Sequence, residues 1–126
     1  MRARRLAAMR PHHMELEEFE LADQPPPGYV LAQTTCTLIS TGTELANWTG
    51  STVERRAMGA DWSAQPYRPG YSYVGVVRAV GDGVAGVVVG DRICGQGGHA
   101  SAAMLEAARV VVVPAGVSKR APNMAV

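Results

Sequence analysis

The sequence predicts a mainly β domain, a partly open barrel or sandwich carrying one or two short helices. Runs rich in Val, Thr and Ile recur at regular intervals and are punctuated by Gly, Pro and Asp, the pattern of short strands joined by tight turns. The 126 residues include 14 Gly and 8 Pro and only 6% aromatics, a mix that favours strands and turns over helix. The length suits one domain with a core of its own.

Residues 4–9 and 12–21 are predicted as two strands meeting at Pro11. In the second, Met14, Leu16 and Glu18 share one face and Glu15, Glu17 and Phe19 the other, an imperfect alternation. Three consecutive prolines and Gly28 then break the chain. The segment YVLAQTTCTLIS reads as a long strand. After it, Thr41 or Thr43 can cap a short helix over 44–48, which Gly50 can end. STVERRAMGADWSAQPYRPG reads as an irregular, polar surface loop. YSYVGVVRAV is a strand whose internal Gly75 marks a bulge or a close backbone approach. Gly81-Asp82-Gly83 makes a turn, GVVVGDRICG a further strand region with a turn at Gly90-Asp91, and SAAMLEA and RVVVV two last strands. The tail can begin a helix after Ser118. The whole comes to seven or eight short strands, without internal repeats.

Composition excludes several function classes. The formal charge is +1, and the basic pairs Arg4-Arg5 and Arg55-Arg56 lack an aromatic platform, so neither nucleic acid nor an acidic membrane is an expected partner. The apolar run in the basic N-terminus is only four residues, LAAM, against about 7–15 in a secretory signal. No window approaches the roughly 18 apolar residues of a membrane span. A reducing, cytoplasmic setting is expected. Asn47-Trp48-Thr49 is then a chance glycosylation sequon, and a disulfide between Cys36 and Cys94 has no support. Two cysteines this far apart do not form a structural zinc site. His12 and His13 are neighbours on a presumed strand and point to opposite faces, so they do not chelate one ion. The sequence has no G-x-S-x-G, H-E-x-x-H or P-loop motif.

One motif demands a decision. Gly81, Gly83 and Gly86 spell G-x-G-x-x-G after a Val-rich run, and Glu106 follows Gly86 by twenty residues. A dinucleotide site needs a helix opening at the third glycine, because the helix N-terminus supplies the free N–H groups that hold the pyrophosphate. Here three valines follow, which favour a strand, and Gly90, Gly95, Gly97 and Gly98 leave no room for a two-turn helix. The string is expected to be a turn and not a cofactor cradle.

Three stretches carry a family likeness: ISTGTELANWTG, PYRPGYSYVGVVRAVGDGVAGVVVGDRI and GGHASAAMLEAARVVVVPAGVS. Together they resemble the N-terminal, GroES-like domain of the medium-chain dehydrogenases/reductases, the alcohol dehydrogenase and quinone reductase superfamily. The likeness implies a GroES-like, partly open β-barrel over 1–118, with 119–126 beginning a connecting segment. In that family a Rossmann domain follows and binds NAD(P). None lies within these 126 residues, so the chain alone is expected to bind no cofactor and to be inactive. A separate Rossmann-domain chain is the implied partner.

The likeness also implies site residues. Zinc-bearing members carry C-x-[ST]-[DE] and G-H-E; here Thr41 stands where the Cys would be and Tyr71 where the His would be. Thr and Tyr are poor zinc ligands at neutral pH, so the resemblance is to a zinc-independent branch. Thr43 matches a hydroxyl that contacts the substrate oxygen and relays a proton, or it simply caps the helix. Tyr71 would polarise a carbonyl from the cleft, or pack. Thr41, Glu44, Trp48 and Ser72 are the expected substrate contacts. His99, after two glycines, is expected to be structural. The function implied is the substrate-holding part of an NAD(P)-dependent oxidoreductase acting on a small molecule. The alternatives are a non-catalytic GroES-like binding module, a truncated remnant, and, weakest, a co-chaperonin.

Overall fold

The computed structural model describes residues 1–117; the helix expected after Ser118 lies outside them. Seven strands form two antiparallel sheets among the described residues. β1 (Arg2–Ala7) and β2 (Glu15–Glu20) pair as one two-stranded sheet. The other five are β3 (Tyr29–Leu38), β4 (Ser72–Val80), β5 (Arg92–Gly95), β6 (Ala102–Glu106) and β7 (Val110–Val112), in the order β6-β3-β4-β5-β7. The sheets meet through single bridges, Arg5 with Ala100 and Ala8 with Tyr67. Among the described residues the sheets are therefore open and not closed into a barrel, with one rim built by loops.

The core lies on one face of the five-stranded sheet. Val30 and Ala32 of β3, Tyr73 and Val77 of β4, Ile93 of β5 and Leu105 of β6 pack together there. Burial of the Tyr73 phenol pushes its pKa up to about 12, opposed by the nearby Thr34 hydroxyl; its O–H donates to the Ala32 carbonyl. Gly75 is a close approach, as expected. A Cβ there would lie 2.7 Å from the Gln33 carbonyl and 2.5 Å from the Tyr73 hydroxyl. The bulge that accompanies it falls on β3, between Thr34 and Cys36.

In β2 the inward face is the one bearing Glu17 and Phe19, while Leu16 is exposed. The reason is electrostatic. Glu17 accepts hydrogen bonds from Arg68 at 2.9 Å and from Arg5 at 2.7 Å, and the Arg5 guanidinium stacks over Phe19. Both cysteines lie opposite Val74, one on each side of β4. Two strand spacings put them about 10 Å apart, beyond the reach of a disulfide.

Three expectations are corrected. The first helix, α1, spans Thr41–Trp48 and begins after Ser40, with no side-chain cap from Thr41 or Thr43. The presumed surface loop contains a second helix, α2 (Val53–Met58), and a fully buried Trp62. α2 forms because Thr52 accepts from the Arg55 N–H, Glu54 sits in the first turn, Arg55 and Arg56 in the last, and Gly59 ends it with a positive φ. Trp62 anchors the loop: its indole donates to Gly59, its backbone N–H donates to Met9, and Arg55 covers the ring. Finally, Val87–89 is not strand. Val87 turns into the core while Val88 and Val89 face solvent, and β5 begins only at Arg92.

Candidate functional site

The open rim between α1, β1 and the segment before β4 holds a cleft of about 350 Å³. Leu6, Met14, Ile39, Leu45 and Pro69 give it apolar surface, and Trp48 and Tyr67 aromatic walls. Three polar residues reach it: Thr41, Glu44 and His99.

Glu44 and His99 come together from residues 55 positions apart. Glu44 lies in the first turn of α1, where its backbone N–H donates to the Ser40 carbonyl. His99 sits in the loop before β6, fixed by its own backbone. Its N–H donates to the Pro69 carbonyl, and its carbonyl accepts from Leu6. The ring is thereby held with Nε2 2.8 Å from Glu44 Oε1 and Nδ1 2.7 Å from Thr37 Oγ1. Both side chains are about nine-tenths buried, at 8% and 10% exposure. An ionised carboxylate only accepts, so His99 Nε2 carries the proton and donates. In the neutral imidazole Nδ1 then accepts from the Thr37 hydroxyl. Every polar atom of the ring is satisfied, and the carboxylate charge stays in the cleft.

That charge is felt at Tyr67. Burial first, then the Glu44 carboxylate, push the phenol above its ordinary value against the opposing Arg55 guanidinium. The Arg55 cation sits on the Tyr67 ring face, 5.4 Å from its centre. Trp48 has a different peculiarity: its indole N–H is buried and has no acceptor among the described residues. The ring is held instead by edge contact with His12, a residue with the left-handed φ of 60°.

Of the residues expected from sequence, Thr41, Glu44 and Trp48 line this cleft. Thr43 lies on the exposed side of α1. The Tyr71 phenol donates to Ser40 Oγ at the helix start, and Ser72 is buried at the head of β4; neither is among the cleft-lining residues. Tyr67 is the lining residue that the sequence reading did not name; His99, expected to be structural, lines the cleft with both ring nitrogens held by protein groups. The one available signal was His99 itself, a titratable residue in the short glycine-rich run before a strand.

Among the described residues no three His, Cys, Asp or Glu side chains converge as metal ligands. The G-x-G-x-x-G string does not fit a dinucleotide. No helix follows Gly86, whose φ of 77° serves a turn. Gly81 is required by packing, since a Cβ there would fall 2.0 Å from the Pro26 carbonyl. No described helix is long and apolar enough to cross a membrane.

No protein-family model matches the chain, and no curated protein matches it by sequence. Solved structures do. It is similar to the JamJ enoyl reductase (TM-score 0.75, 21% identity over 92% of this chain). It is also similar to the Escherichia coli quinone oxidoreductase solved with NADPH (TM-score 0.70, 20% identity over 91%). A third likeness is to a thermostable alcohol dehydrogenase from Pyrobaculum aerophilum (TM-score 0.70, 23% identity over 91%). The chain spans 36%, 34% and 42% of those chains respectively. Over the part matched, this chain shares their fold, an open, GroES-like arrangement of antiparallel strands.

Proposed function

We propose that this chain is the substrate-holding part of a cytoplasmic, NAD(P)-dependent oxidoreductase that works without zinc. The observation that carries the reading is the cleft beside α1, an apolar pocket with one buried carboxylate, in a fold shared with quinone, enoyl and alcohol oxidoreductases. NADPH in the Escherichia coli relative supports the cofactor class. The nucleotide would be held by a Rossmann domain, in the same polypeptide or in a separate chain, and hydride chemistry belongs to that half.

This chain's residues bind and orient. Leu6, Ile39 and Leu45 exclude water from the substrate's apolar body, and Trp48 and Tyr67 confine it. Glu44 accepts a hydrogen bond from the substrate, and His99 fixes the carboxylate that does so. The zinc-independent reading rests on Thr41 and Tyr71 at the positions where zinc-bearing relatives carry Cys and His.

The test is an NADPH-linked assay of this chain with a Rossmann-domain partner, in the same polypeptide or a separate chain, run with apolar alcohols under NADP⁺ and with quinones, enals and aldehydes under NADPH. Turnover that falls in the Trp48→Ala variant supports the reading. No turnover with any substrate overturns it. A second reading, a non-catalytic binding module, is favoured by one fact: both His99 nitrogens are engaged by protein groups, which suits holding a ligand better than exchanging protons with it.

A further inference from the structure

The cleft carries information about charge as well as shape. Among its described lining residues the one carboxylate is Glu44, held by the His99 imidazole. The nearest cations are committed elsewhere. Arg55 donates to the Gln65 carbonyl and lies against the Tyr67 ring, and Arg5 and Arg68 are both bound to Glu17. Tyr67 stays a neutral phenol, since burial and Glu44 both oppose its ionisation. The His99 Nε2–H already satisfies one carboxylate oxygen, Oε1. No described residue hydrogen-bonds the other oxygen, and it is not among the buried polar atoms that lack a partner. That oxygen keeps a small exposed surface, on a side chain that lines the cleft and is 10% exposed.

We propose that Glu44, held by His99, makes this cleft selective for apolar ligands that carry a hydrogen-bond donor and no negative charge. Two physical effects act together. A carboxylate accepts hydrogen bonds and never donates, so it rewards a hydroxyl or ammonium. A ligand carboxylate or phosphate would bring a second negative charge close to Glu44 in a site of low polarity, with no cation to offset it. Glu44 is thus the specificity-determining residue and His99 a positioning residue. The inference rests on the cleft being the substrate site and makes no use of hydride transfer.

The experiment is calorimetric titration of the full chain at neutral pH with three probes of one skeleton: 2-naphthylmethanol, 2-naphthylmethylammonium and 2-naphthoate. The alcohol and the ammonium are expected to bind, and the carboxylate at least about tenfold more weakly. In Glu44→Gln, which keeps an acceptor and removes the charge, that discrimination is expected to fall to within a few-fold. The wild-type ratio stands as a test whether or not the variant folds. Equal binding of naphthoate and alcohol, an unchanged ratio in folded Glu44→Gln, or no binding by any probe would overturn the inference. Selectivity without turnover in the NADPH assay removes the oxidoreductase reading and leaves this one standing. Turnover without selectivity does the reverse.

Discussion

His99 Nε2 lies 2.8 Å from Glu44 Oε1, joining the loop before β6 to the first turn of α1 across the floor of the cleft. With both side chains about nine-tenths buried, removing the imidazole leaves a carboxylate short of its donor. His99→Ala is expected to cost about 1–3 kcal/mol. Glu44→Gln should cost less, because the amide oxygen still accepts from Nε2. Urea unfolding midpoints of the two variants check the order; equal costs, or a neutral His99→Ala, would speak against the pairing.

Glu17 predicts the acid behaviour. Hydrogen bonds from Arg68 first, then Arg5, lower its pKa to about 2. A carboxylate depressed on folding contributes stability that is present above its unfolded value, near 4.3. That contribution is lost as pH falls toward 2. The melting temperature should therefore decline across this window, and Glu17→Gln should flatten the decline. A variant with the same acid profile as wild type would remove Glu17 as its cause.

The two tryptophans should respond oppositely to Phe. Trp62 is fully buried and its indole donates to the Gly59 carbonyl at 3.1 Å, so Trp62→Phe loses a satisfied bond and packing volume, costing about 1–3 kcal/mol. The Trp48 N–H has no acceptor among the described residues. Trp48→Phe removes an unsatisfied buried donor and is expected to be neutral or stabilising. Thermal melts of both variants decide; a larger loss at Trp48 would mean its indole has a partner.

Gly75→Ala places a methyl against the Gln33 carbonyl and the Tyr73 hydroxyl, both under 3 Å away. Overpacking of this kind costs about 1–3 kcal/mol. Amide exchange should quicken along β3 and β4 together. Unchanged protection would show that the strands give way freely there.

Much of this was legible in the residues. Alternating and β-branched runs located the strands, and Gly75 announced its close approach, because these signals are local. No helix follows the G-x-G-x-x-G string, but the strand expected in its place is loop at Val87–89: Gly86 and Gly90 bend the chain so that only Val87 reaches the core. α2 escaped because six residues are too few to show periodicity. Trp62 sits among polar neighbours, and contacts outside its own stretch, with Met9 and Arg55, explain its burial. Half the site was visible: Thr41, Glu44 and Trp48 share one helix. Tyr67 was not, and His99 was read as structural, because backbone pairing with Leu6 and Ala8 brings both to the cleft from distant segments.

The central claim is that the cleft beside α1 is where this chain binds its ligand. Chemical-shift mapping of the ¹⁵N-labelled full chain with 2-naphthylmethanol tests it most directly. The account predicts shifts concentrated at Thr41, Glu44, the Trp48 indole, Tyr67 and His99. Shifts concentrated at Gly81, Gly83 and Gly86, with the α1 signals unmoved, would contradict it.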